Sequence, residues 1–302
     1  MGEHEGHSHS HDISNIKGVN LFIVVILNFL ITIAQVIGGI FSGSLALISD
    51  ALHNLSDAVA IIISYIAIKI SKKENDEKRT FGYRRAGILA AFVNSSFLII
   101  ISFFLFKEAI TRFLYPQNIN APVLITVALV GLLANIVGVF LLRKGSKEDM
   151  NIKSSYLHLL ADAFSSVAVV IGGILIYFFN IYWIDPLLTI LIGAYVLKES
   201  YEIIKESTHF LMQGVPKNVN VEEIAKALSN IENIEKVHHV HVWGMDERNI
   251  YFEAHINIID MMVSDTKEIF AEVEHQLLHF GINHVTIQFE YDCCEGVDII
   301  KK

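Results

Sequence analysis

Cysteine is almost missing from this chain. The two that occur, Cys293 and Cys294, are adjacent. Neighbours in sequence make a poor disulfide, so the expectation is free thiols in a reducing compartment and no disulfide framework. Charge is also scarce, at 18% of residues against 53% hydrophobic. A soluble chain carries about a quarter charged residues. The net charge is −9, and once the Lys and Arg that flank the apolar runs are set aside no basic stripe is left for nucleic acid. The acidic, histidine-rich N-terminus lacks a cationic stretch ahead of a short apolar core, so no cleavable signal peptide is expected. There are only four prolines. Pro116, Pro122, Pro186 and Pro216 all stand at breaks between elements or just inside a helix start, where the missing N–H does no harm.

What is abundant is long apolar runs, and mean hydropathy is +0.48. A span needs about 20 apolar residues to cross a hydrocarbon core of roughly 30 Å. Six candidates lie near 19–41, 44–70, 87–111, 121–142, 154–179 and 184–205. They form a helical membrane domain over 19–208, after a His-rich tail over 1–18. The loops after the second and fourth candidates carry most of the loop Lys and Arg, among them Lys78, Arg79, Arg84, Arg85, Arg143 and Lys144, while the other connections hold only Arg112. By the positive-inside rule both termini are cytoplasmic.

Residues 209–302 read differently. Val221–Ser229 is an amphipathic helix, and Val237–Trp243 and Tyr251–Ile259 alternate as strands. Ser264 is placed to cap a helix reaching about Phe280, and Val285–Phe289 is a third strand. The order αββαβ predicts a small α+β domain, one sheet covered by two helices.

Ionisable side chains inside a span are costly and by default mark function. The second candidate contains His53 and Asp57, and the fifth contains His158 and Asp162. Each pair is His-x-x-x-Asp, and a spacing of four puts both side chains on one helix face. Two facing pairs supply two imidazole nitrogens and two carboxylate oxygens, a tetrahedral set suited to Zn²⁺. The depths agree as well. At about 1.5 Å per residue both pairs fall near the middle of the bilayer. Hard ions such as Mn²⁺ prefer all-oxygen sites, which makes manganese or iron the runner-up cargo. An intramembrane metalloenzyme would need an open coordination position and a general base. All four ligands are committed here, and no His-Glu-x-x-His occurs, so no enzymatic role and no organic cofactor is expected. A membrane metal sensor without transport would not need a midplane site. Asp50, one turn from His53, is either a gate or supporting group beside the ligands, or a cap near the span's outer end.

Several segments together resemble the cation diffusion facilitator family, in its cobalt-zinc-cadmium efflux branch. They are Gly43-Ser44-Leu45-Ala46-Leu47 leading into Ser49-Asp50-Ala51 and the first pair, His158/Asp162, Thr80-Phe81-Gly82-Tyr83, Val237 to Trp243, and His284 to Glu290. The resemblance implies six transmembrane helices, a ferredoxin-like cytoplasmic domain, a homodimer in the cell membrane, and efflux of Zn²⁺, Cd²⁺ or Co²⁺ by proton antiport. It also implies a regulatory cytoplasmic zinc site at His238, His255, His284 and Glu290, with Cys293 and Cys294 as further candidates. Hydrogen-bonded histidines on a sheet face are the alternative reading there. Strand alternation puts His239 opposite His238. Two positions depart from the family pattern. Gly87 and Gln213 stand where acidic residues are usual, which deprives Arg85 of charge partners. Residues 71–86 contain no histidine, so the loop site of some relatives is missing. His4, His7, His9 and His11 form a metal-collecting tail. His275 and His279 read as a solvated helix face.

Overall fold

The computed structural model describes residues 10–71, 76–143, 150–246, 249–293 and 298–299; the side chains of 10–25, 57, 58, 60, 61, 64, 65, 67, 68, 71 and 150–155 lie outside that description. Six long helices come first: α1 (Ser10–Ser42), α2 (Leu45–Ser71), α3 (Ala86–Leu114), α4 (Ala121–Leu142), α5 (Met150–Phe179) and α6 (Ile184–Leu211). The C-terminal segment follows as α7 (Val221–Leu228), β1 (Ile234–Gly244), β2 (Ile250–Ile258), α8 (Thr266–His279) and β3 (His284–Glu290). The chain divides into two compact units. One comprises residues 1–63 and 93–202; the other comprises 64–92 and 203–302.

The helices start where local chemistry satisfies their free N–H groups. Asn120 caps α4 by accepting from the Val123 amide at 3.3 Å, with Pro122 in the first turn. At α2 the cap is Ser44, whose hydroxyl oxygen accepts from the Leu47 amide at 3.1 Å, and a second residue completes it. Asp185, from the first turn of α6, accepts from the Leu45 amide at 2.9 Å, the Ala46 amide at 3.3 Å and the Ser44 hydroxyl. A buried carboxylate is thereby matched to the positive end of a helix dipole. Arg112 donates to the Gly43 carbonyl and pairs with Glu108 at 3.0 Å. These contacts fix where α2 begins, and therefore where His53 falls.

Close packing relies on glycine. A Cβ at Gly38 on α1 would meet Val127 of α4 at 2.6 Å, and one at Gly172 on α5 would meet Leu188 of α6 at 2.5 Å. Small residues at these crossings let helices approach closely where lipid offers no hydrophobic drive. The outward faces carry Phe97, Phe103, Phe104, Phe140 and Phe164, each at least 60% exposed. A surface that apolar fits acyl chains and not water. Among the described residues, Ala86–Leu114, Ala121–Leu142 and Tyr156–Phe179 are long and apolar enough to cross a membrane.

Some boundaries differ from the sequence expectation. Helix α1 begins at Ser10, so its backbone runs back into the segment read as a tail. Helix α6 continues beyond 205 to Leu211, because Lys198, Glu199, Glu202, Lys205 and Glu206 make its second half polar and Lys198 pairs with Glu202 one turn on. Ser264 does not cap α8. The N-cap position is Asp265, and the Ser264 hydroxyl donates instead to the Asp265 carboxylate at 3.0 Å.

In the C-terminal segment the sheet order is β1-β2-β3, with β1 antiparallel and β3 parallel to β2. Ile224 and Leu228 of α7, and Ile269, Val273 and Leu277 of α8, share one core with Val237, Val242, Phe252 and Ile256 of the strands. The connection between α2 and α3 belongs to the same compact unit, and Phe81 meets the Tyr251 ring edge-on at 5.4 Å.

Candidate metal centres

The first centre is built on α2 and α5. Both helices are rich in apolar residues, and the four-residue spacing points His158 and Asp162 to one side of α5. His158 Nε2 lies 3.4 Å from Asp162 Oδ2. His53, from α2, brings its Nε2 to 3.6 Å from Asp162 Oδ1. The two imidazole centroids are 5.7 Å apart. One donor atom from each of the three residues falls within 4.8 Å of the others, the spacing a single ion can bridge. His53 and Asp162 are buried, while His158 is 35% exposed on its side chain. Asp162 Oδ2 is buried without an aligned hydrogen bond, as a ligand lone pair would be. Asp57 belongs to the turn of α2 after His53, and its side chain lies outside the described residues. Tyr195 of α6 adds a wall that sequence reading missed, its ring edge-on to His53 at 5.9 Å.

The second centre sits on the C-terminal sheet. His255 Nδ1 contacts Glu290 Oε1 at 2.7 Å, and His238 Nε2 lies 3.2 Å from Glu290 Oε2. Cross-strand register explains this. His238 pairs with His255 on β2, and His255 is diagonal to Glu290 on β3. Both ring nitrogens of His238 are buried without an aligned hydrogen bond, Nε2 having only the 3.2 Å Glu290 contact. Burial would raise the Glu290 pKa, but the hydrogen bond from His255 and the charges of His255 and His238 hold it below the ordinary value.

His284 does not join this group. It opens β3 opposite Tyr251, with the two rings 4.4 Å apart, whereas Glu290 closes the strand. Six residues of strand separate them by about 20 Å. His239 does approach, contrary to simple alternation. The register slips between His238 and His241, and His239 takes a positive φ of 52°. This bulge turns its ring onto His255, with centroids 4.5 Å apart. Cys293 is exposed, its side chain hydrogen-bonds to Glu290, and its carbonyl accepts from Asn257 at 2.7 Å; Cys294 lies outside the described residues. The tail histidines His4, His7 and His9 lie outside them too, as does the His11 side chain. His275 and His279 are exposed on α8, as expected for a solvated face.

A family model described as the cation efflux transmembrane domain matches residues 21–212, and one described as the cation efflux protein cytoplasmic domain matches 216–292. The chain belongs to the cation efflux family. Similar proteins include the zinc transporter ZitB of Pectobacterium atrosepticum, 38% identical over 96% of this chain and 90% of that one. The cadmium, cobalt and zinc/H(+)-K(+) antiporter of Bacillus subtilis is 36% identical over 94% of this chain and 92% of its own length. The metal cation efflux system protein CzcD of Cupriavidus metallidurans is 36% identical over 97% and 92%. This cation efflux protein is therefore a membrane protein with a helical transmembrane domain and a cytoplasmic domain of helices on a small mixed sheet. Two nitrogens of Arg85, Nε and Nη2, are buried without a hydrogen-bond partner.

Proposed function

We propose that this protein exports Zn²⁺, and with it Cd²⁺ and Co²⁺, from the cytoplasm in exchange for protons. The observation that carries the reading is the convergence of His53, His158 and Asp162 inside an apolar helix bundle. Two imidazoles and a carboxylate suit a borderline ion, and Asp57, one turn beyond His53, is the proposed fourth ligand. Metal binding needs neutral imidazoles and ionised carboxylates, so ion and proton compete for the same groups. An ordinary imidazole pKa near 6.5 makes that exchange effective around neutral pH. The names of the relatives from B. subtilis and P. atrosepticum support the same cargo and coupling.

In this reading α1 to α6 all span the plasma membrane with both termini cytoplasmic. The ion enters from the cytoplasm between α2 and α5, rocking of the bundle turns the site outward, and protonation releases it. The cytoplasmic domain is ferredoxin-like and holds two subunits together. Zinc at His238, His255 and Glu290 stabilises one arrangement of that dimer and biases the bundle through it. The buried nitrogens of His238, neither of which makes an aligned hydrogen bond, support a metal there.

The test is flux of several divalent ions into liposomes carrying the purified protein. Zinc and cadmium should cross readily and manganese poorly. A protein that binds zinc but moves none of these ions is a sensor, and that result would end the transport reading.

A further inference from the structure

The cluster of His53, His158 and Asp162 does not stand alone in the bundle. One turn away lies a second carboxylate, Asp50, 2% exposed and held from two other helices. The Ser165 hydroxyl on α5 donates to Asp50 Oδ1 at 2.6 Å. The Gln35 amide on α1 donates to Asp50 Oδ2 at 2.7 Å. Gln35 accepts in turn from Asn54 Nδ2 at 3.0 Å. One α1 side chain therefore clamps residues 50 and 54, a full turn of α2 that contains His53. Gln35 is itself fully buried, and Gly131 of α4 makes room for it, because a Cβ there would lie 3.0 Å from Gln35 Nε2.

The geometry is reciprocal. His53 meets Asp162, and Asp50 meets Ser165. Moving back three residues on α2 moves forward three on α5, so the helices run antiparallel at this point and both bonds lie on one seam. The Asp50–Ser165 bond is the nearest described tie between the two helices that supply the ligands. Its donors are a hydroxyl and an amide, and among the described residues no Lys or Arg pairs with the carboxylate. A buried carboxylate without a cation is costly to keep, so its retention calls for a role.

Resting on the reading of this cluster as the transport site, we infer that Asp50 is a positioning residue. It sets the gap between the α2 and α5 ligand pairs by bridging Ser165 and Gln35, and thereby sets the ion size the site accepts. It does not touch the ion. Zinc, with ligand distances of about 2.0–2.2 Å, needs a narrow gap, while a larger ion tolerates a wider one. Hydrogen bonds to an ionised carboxylate are the strong ones, which suits them to hold such a gap.

The experiment is zinc and cadmium flux in proteoliposomes for full-length wild type, Asp50→Ala, Asp50→Asn and Ser165→Ala, with Asp162→Ala as control. Asp50→Ala removes both ties. It is expected to lower zinc kcat/KM about a hundredfold and to raise the cadmium-to-zinc ratio severalfold, since each buried charge-assisted hydrogen bond is worth about tenfold. Ser165→Ala removes only the α5 arm and shifts the ratio in the same direction by less. It keeps the inference testable if Asp50→Ala does not fold. Asp50→Asn retains the shape, and with the amides of Gln35 and Asn54 turned over it retains every hydrogen bond. Its ratio should stay within about twofold of wild type. An unchanged ratio in both Asp50→Ala and Ser165→Ala overturns the inference while leaving the transport site intact. Equal losses in Asp50→Asn and Asp50→Ala at a constant ratio also overturn it, because the carboxylate then acts by charge and not by position. Wild-type flux in Asp162→Ala overturns the transport site and this inference together.

Discussion

Replacing Asp162 by alanine is expected to abolish metal flux while the protein still folds and assembles. Asp162 is the hub of the cluster: its two oxygens face His53 and His158 separately, at 3.6 Å and 3.4 Å. Removing it deletes one of the proposed ligands and leaves the two imidazoles without the carboxylate that draws them together. It also removes half of the negative charge that Asp57 and Asp162 would set against a divalent ion. In a buried site that charge cannot be replaced by water at low cost. The helix itself should survive, since alanine is the best helix former and the position is not a cap. Flux in proteoliposomes measures the first effect and gel filtration of the same sample the second. Conversion of His53 or His158 to alanine should resemble it, with His158 milder because that side chain is partly exposed.

The second expected result concerns selectivity. His53→Asp turns a two-nitrogen set into one nitrogen and three oxygens, counting Asp57. Zinc is a borderline ion and gains from imidazole, whereas Mn²⁺ stands at the weak end of the affinity series and favours oxygen. The variant should lose much of its preference for zinc and accept manganese or cadmium better. Its pH profile should move to lower pH, because a carboxylate with an ordinary pKa near 4 replaces an imidazole near 6.5 as a proton carrier. A third carboxylate in the empty site will also repel its neighbours, so turnover should fall even for the accepted ions. Flux of each metal across a pH series measures all three effects. Unchanged ratios among metals and an unchanged profile would mean that His53 does not touch the ion.

Much of this was readable from the residues, for identifiable reasons. Helices α2 to α5 follow apolar runs whose length the bilayer dictates, and their ends fall within a few residues of the expected positions. His53, His158 and Asp162 stood out because ionisable groups are rare in such runs, and antiparallel helices at matching depth had to bring them together. The strands of the cytoplasmic domain were legible from alternation, but its candidate metal cluster was not fully so. A period of two assigns His239 to the wrong face because it knows nothing of a bulge with positive φ. His284 sits at the wrong end of β3, a distinction that pairing register makes and residue type does not. The supports of the site were least visible. Gln35, Ser165 and Tyr195 are ordinary residues whose roles arise only from long-range packing. Asp185 read as the start of α6, yet it completes the cap of α2, some 140 residues earlier in the chain.

The most direct test of the central claim is zinc uptake by proteoliposomes with an imposed pH gradient, wild type beside His53→Ala. The account predicts that an acidic lumen drives zinc inward against its own gradient in wild type, that the lumen loses protons as zinc enters, and that His53→Ala does neither. Zinc movement indifferent to the pH gradient, or equal in the two proteins, would contradict it.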